Sequence, residues 1–128
     1  MPSTNNEILG NTILGNMGHG IELCSGAHPV VVRNEVAHGL ASGIVVSGQA
    51  CPTCEDNHVH DNGADGVLVL EGGHPQLTRN RITANSGNGL KLHDCAYERL
   101  GESNFVSGNK FDDVRLEEGG SIGSQVCT

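Results

Sequence analysis

The stretch GHPQLTRNRITANSGNGLKL, Gly73 to Leu92, decides how this chain folds, because it recurs. Its Asn80 is the fourth of a series, Asn11, Asn34, Asn57 and Asn80, in which each member lies 23 residues from the last. Its Gly89 closes the series Gly20, Gly43, Gly66 and Gly89 at the same spacing. Its His74-Pro75 repeats His28-Pro29 and Cys51-Pro52. A fixed period of about 20–50 residues marks an architecture of stacked repeats.

Working outward from each Asn gives one template. An aliphatic residue follows two positions on (Ile13, Val36, Val59, Ile82). Asn or Gly follows five on (Asn16, Gly39, Asn62, Asn85). After the repeat glycine comes an aliphatic-x-aliphatic triplet: Ile21-Glu22-Leu23, Ile44-Val45-Val46, Val67-Leu68-Val69 and Leu90-Lys91-Leu92. Beyond the turn lie Val31, Cys54, Leu77 and Leu100, with Ile8 one repeat earlier. A fifth copy is one residue longer and runs through Asn104, Val106, Asn109 and Val114-Arg115-Leu116, with Asp113 in the glycine position.

Short alternation of apolar and other residues is a strand signal, and Gly, Asn, Ser and Pro between such stretches signal turns. No segment carries helical periodicity over ten or more residues. Each repeat therefore supplies about three short strands. One repeat cannot bury its apolar positions alone, whereas stacked repeats pair strand on strand at about 4.8 Å per rung. The pattern predicts an all-β, right-handed parallel β-helix of about five rungs with a 23-residue repeat. Its handedness follows the general rule for parallel crossovers. It occupies residues 1–116, and the Gly- and Ser-rich stretch 117–128 reads as a tail or weak cap.

The recurrent polar residues read as part of that stack. Asn tolerates left-handed backbone at corners, and stacked Asn side chains hydrogen-bond in ladders. The repeat glycines supply positive φ or a close backbone approach. Arg33, Asp56, Arg79 and Glu102 share one position with alternating sign, a charge ladder that opposes register slips.

Composition narrows the function. Aromatic residues make up 2% of the chain and Trp is absent, which weighs against the aromatic platforms of single-strand nucleic-acid sites. The net charge of −8, with only seven Lys plus Arg, disfavours any phosphate-backbone partner. No apolar run is long enough for a membrane span. Residues 1–20 show no charged-then-apolar leader, so a cytoplasmic or nuclear location with reduced cysteines is expected; a piece of a longer protein is the alternative. Open solenoid ends expose strand edges, so self-association through them is also expected.

Several constellations carry potential chemistry. Cys51 and Cys54 form a CxxC, but redox pairs of that type sit at a helix N-terminus and here the context is a strand repeat. His28, Cys51 and His74 share one register position, a ladder whose next member is Tyr97, so no metal site or cofactor is assigned. The densest titratable set is His58, His60 and Arg81, with His38 one rung before Asp61; a solvated strand face accounts for it most simply, and a general base or a transient metal site are the alternatives. No catalytic residue is assigned, which leans the reading away from an enzyme. The outward middle of the triplets reads Glu22, Val45, Leu68, Lys91, Arg115. With Val45 and Leu68 as an apolar centre flanked by charge, this stripe is the candidate binding face for a protein partner; a sheet face partly covered by a neighbouring segment is the competing reading.

The stretch from Gly73 to Leu92 resembles the parallel β-helix repeat of the pectin-lyase-like superfamily, and is most similar to the β-helix region of F-box-only ubiquitin-ligase receptors. Their repeats similarly read Gly-x-Pro-x-(aliphatic)-x-x-Asn-x-(aliphatic)-x-x-Asn-x-x-x-Gly-(aliphatic). The resemblance covers about residues 5–116. It implies a non-catalytic, substrate-capturing protein-interaction module, although nothing here resembles an F-box. The alternative it implies is a carbohydrate-binding or carbohydrate-active β-helix of the lyase or epimerase type. Those enzymes use Asp ligands for calcium and a basic Lys or Arg, a set that has no counterpart here.

Overall fold

The computed structural model describes residues 7–24, 28–70, 72–93 and 103–117. Among them are fourteen strands of three or four residues and no helix. The first rung holds β1 (Glu7–Leu9), β2 (Thr12–Leu14) and β3 (Ile21–Leu23). The second holds β4 (Val30–Val32), β5 (Glu35–Ala37) and β6 (Ile44–Val46), and the third β7 (Thr53–Glu55), β8 (His58–His60) and β9 (Val67–Val69). The fourth holds β10 (Gln76–Thr78), β11 (Arg81–Thr83) and β12 (Leu90–His93). The fifth contributes β13 (Phe105–Ser107) and β14 (Val114–Glu117).

Each strand pairs in parallel with its counterpart one repeat away. The result is three sheets, ordered β1-β4-β7-β10, β2-β5-β8-β11-β13 and β3-β6-β9-β12-β14. The 23-residue period is thus the register itself: Ile13 pairs with Val36, Val36 with Val59, and Val59 with Ile82. This is the parallel β-helix that the repeat predicts. Leu100, Glu102, Cys95, Tyr97, Cys127 and the stretch beyond Glu117 lie outside the described residues.

The core is a narrow column of aliphatic side chains. Val31, Val36, Ile44 and Val46 from one rung pack beneath Cys54, Val59, Val67 and Val69 from the next, all essentially without solvent contact. Burying one such Val, Ile or Leu is worth roughly 1.5–3 kcal/mol, so the stack is stabilised rung by rung.

Polar ladders run beside this column. The Asn34 amide donates to Asn57 Oδ1 at 3.0 Å and to the Ile8 carbonyl at 2.8 Å, while Asn57 Oδ1 also accepts the Asn34 backbone N–H at 2.9 Å. Asn57 repeats these bonds with Asn80, and Asn80 with Asn104. A second ladder joins Asn62, Asn85 and Asn109 in the same way. Both Asn series are therefore structural. No described buried side-chain polar atom lacks a partner, which is what makes amides tolerable beside an apolar core.

One expectation is corrected. The ladder asparagines do not carry the left-handed backbone; the residues just before them do. Arg33, Asp56 and Arg79 have φ of 56°, 55° and 53°, and His38, Asp61 and Ala84 have φ of 58°, 55° and 55°. Each corner turns at that residue, and at every one but His38, which Gly39 follows, the next residue is an Asn whose amide bonds along the stack. The repeat glycines serve the close approach rather than positive φ. A Cβ on Gly43 would lie 2.5 Å from Val59 Cγ1 and 2.8 Å from the Gly66 carbonyl oxygen.

A third polar ladder escaped the sequence reading. His19, Ser42, Asp65, Asn88 and Asp112 occupy one position at the corner before the triplet sheet. The Ser42 N–H donates to His19 Nδ1, the Asp65 N–H to Ser42 Oγ, and the Asn88 N–H to Asp65 Oδ1 at 2.8 Å. Neighbouring members differ in type, so no residue letter repeats from one rung to the next, although the spacing could have revealed it.

Candidate functional site

Two outward surfaces bring reactive or binding groups together. The first lies on the sheet of β2, β5, β8, β11 and β13. Alternation turns Val36, Val59 and Ile82 inward and leaves their neighbours outward. The pairing then sets Glu35 beside His58 and His58 beside Arg81, with Arg81 beside Phe105. His60 lies two residues along β8 on the same face.

His60 is the centre of this cluster. Its Nε2 is 2.8 Å from Glu35 Oε2, and its Nδ1 is 2.6 Å from Asp61 Oδ2. The His58 ring stacks on it with 4.1 Å between centroids, and His38 meets it edge-on at 5.6 Å. The His60 side chain is 13% exposed, whereas Glu35 and Asp61 are close to half exposed. Burial pushes the His60 pKa down, but its bonds to Asp61 and Glu35 outweigh burial and raise it overall. The hydrogen bond from His60 holds both the Glu35 and the Asp61 carboxyls below their ordinary values. Burial, together with the His60 and Arg81 charges, holds His58 below the usual imidazole value. The two histidines therefore differ in charge preference despite their stacking.

Of the residues expected here, His58, His60 and Arg81 do share one face. The guanidinium of Arg81 sits 4.9 Å over the Phe105 ring rather than between the histidines. Glu35, the group that completes the cluster, was missed, although it lies one period before His58. Glu35, His58 and His60 offer ligand atoms within 4.8 Å of one another, as do His38, His60 and Asp61.

The second surface is the sheet of β3, β6, β9, β12 and β14. The expected stripe is in register: Glu22 pairs with Val45, Val45 with Leu68, Leu68 with Lys91, and Lys91 with Arg115. Its apolar centre needs correction. Val45 is only 6% exposed and so contributes little contact surface, while Leu68 is half-buried and accessible. Alternation alone faces Val45 outward, but solvent access also depends on what else covers that point of the sheet.

At its far end the stripe enters an open cleft of about 600 Å³, lined by Lys91, Arg115, Phe111, Asp112 and the ladder residues Asp65 and Asn88, with Gly63, Ala64, Ser86 and Gly87 as its floor and rim. Arg115 Nη1 lies 3.4 Å from Asp112 Oδ2. Phe111 is two-thirds exposed at this mouth. The cleft thus combines two cations, two acids and an aromatic face.

The cysteine motif behaves differently. The expectation of reduced cysteines is corrected at Cys51, which is disulfide-bonded; Cys54 is a free, buried thiol, so the CxxC is not closed on itself. Burial pushes the Cys54 pKa up to about 12, which keeps its sulfur protonated and unreactive.

No helix among the described residues is long and apolar enough to cross a membrane. The family model described as the right handed beta helix region matches residues 1–127. No curated protein matches the chain significantly, and no solved structure does.

Proposed function

We propose that this chain, which belongs to the right-handed β-helix family, is a non-catalytic protein-binding solenoid. The observation that carries this reading is the outward column Leu68, Lys91 and Arg115 on three successive rungs, which opens into the cleft beside Phe111. The occupant that fits is an extended protein segment. An apolar side chain would rest on Leu68, and a carboxylate would reach Lys91 and Arg115. Opposite charge at those two positions would set the direction in which the segment lies. Substrate capture of the kind implied by the F-box-receptor resemblance is the nearest form of such a role.

The test is capture of partners by the immobilised full chain, compared with Leu68→Glu and with the double variant Lys91→Glu/Arg115→Glu. A protein retained by the wild type and lost from both variants, with circular dichroism and Tm unchanged, supports the reading. Retention by both variants sinks it. A Thr83→Glu variant on the other sheet should capture normally.

The cleft itself favours one second reading, carbohydrate binding. Phe111 offers an aromatic face, and Lys91 with Arg115 would pair with an acidic sugar. Binding of an acidic polysaccharide, lost on Phe111→Ala and Lys91→Ala, would replace the protein-partner reading.

A further inference from the structure

We propose that Glu35, His58 and His60 form a binding site for a divalent transition-metal cation of the zinc type, with Asp61 as a positioning residue for His60. Two imidazoles and a carboxylate are a donor set suited to such ions, and three protein ligands leave a coordination position open. The three donor atoms already lie within 4.8 Å of one another. A tetrahedral ion at about 2.0–2.2 Å from each ligand needs them about 3.3–3.6 Å apart, a change that side-chain rotation supplies.

The backbone holds this set in place. Glu35 and His58 are direct partners on adjacent parallel strands, and His60 shares the outward face of β8. None of the three has to cross a loop to meet the others. The hydrogen bond at 2.6 Å to Asp61 occupies Nδ1 of His60, which leaves Nε2 facing Glu35. A carboxylate holding the far nitrogen of a ligating histidine is the recurrent outer partner of metal-bound imidazole, because it fixes both tautomer and ring orientation. The His58 ring, stacked on His60, adds the third donor from the same strand. The alternative set of His38, His60 and Asp61 would leave Glu35 as the outer carboxylate on Nε2, but its His38 and Asp61 are exposed corner residues, whereas all three of the proposed ligands are half-buried on paired strands.

The test is calorimetric titration of the chelator-treated full chain with zinc chloride, paired with visible absorption on loading with cobalt(II). One zinc per chain is expected. His58→Ala and Glu35→Gln should each weaken binding at least about tenfold, since each removes a ligand. Asp61→Asn should weaken it about 10- to 100-fold and shift the cobalt absorption bands, whereas Asp61→Glu should recover part of the affinity. His28→Ala, outside the site, should bind as wild type. All variants should keep the wild-type circular dichroism, because the substituted side chains point outward. Absence of saturable binding overturns the proposal. So does a cobalt–thiolate band, which would place the ion on a cysteine, or loss of binding in His38→Ala with Glu35→Gln unaffected.

Discussion

The Asn ladders and the charge ladder share one period and one stacking direction, yet they do different things. In the first, Asn57 is buried, and its amide nitrogen bonds both to Asn80 and to the Val31 carbonyl. In the second, Arg79 lies beside Asp56 in a two-point contact at 3.0 and 3.2 Å, with Glu55 at 3.5 Å, and all three side chains reach solvent. Water decides the difference. Where it is excluded, a lost partner leaves a polar group stranded. Where it is present, solvent replaces the partner at little cost. A repeat therefore writes stability into its inner columns and leaves its outer columns open to vary, and the cluster of Glu35, His58 and His60 spans two such outer columns.

The sharpest way to break this comparison is Asn57→Asp. The substitution removes two donated hydrogen bonds and places a carboxylate against the acceptors at Asn80 and Val31. A loss of about 3 kcal/mol or more is expected, read as a large fall in Tm or in the denaturation midpoint. An unchanged Tm would mean that the ladder is dispensable.

Gly43→Ala is the next largest. The added methyl would collide with Val59 and with the backbone of the next rung, and about 1–3 kcal/mol should be lost in a urea melt. Indifference to the substitution would show that the rungs can slide apart locally.

Ala84→Gly tests the corners. Ala84 is exposed and holds φ of 55°. Relief of left-handed strain outweighs the entropy of glycine there, so a gain of about 0.5–1 kcal/mol is expected in the same melt. A loss instead would show that the corner is not strained.

The smallest effect belongs to the exposed ion pair. Its hydrogen bond to Arg79 holds the Asp56 carboxyl below its ordinary value. A lowered folded-state pKa contributes stability that is present above the unfolded value and is lost as pH falls through the folded one. Asp56→Asn should therefore differ slightly from wild type in Tm at neutral pH, and the difference should vanish in acid and in high salt. A gap that persists in acid would assign Asp56 a role other than its charge.

Much of this was legible in the chain. The period fixed strand pairing, because parallel stacking turns a spacing of 23 residues directly into register, as Val36, Val59 and Ile82 show. Alternation fixed which residues face the core. The histidine cluster was legible only in part: His58, His60 and Arg81 stood out, but Glu35 does not resemble its register partners and was passed over. The ladder through His19, Ser42, Asp65 and Asn88 was hidden for the same reason.

What the sequence alone determined is the stack: its three-strand rungs, their register, and the two columns of asparagine that hold them. The three-dimensional structure alone decided which corner residues turn left-handed, that Val45 is covered while Leu68 is reachable, and that Glu35 and Asp61 close on His60 from two sides. The reason is physical. Periodicity along a chain sets position along a stack, but solvent access and side-chain partnership depend on neighbours 20 or more residues away, which meet only when the rungs are laid one on another.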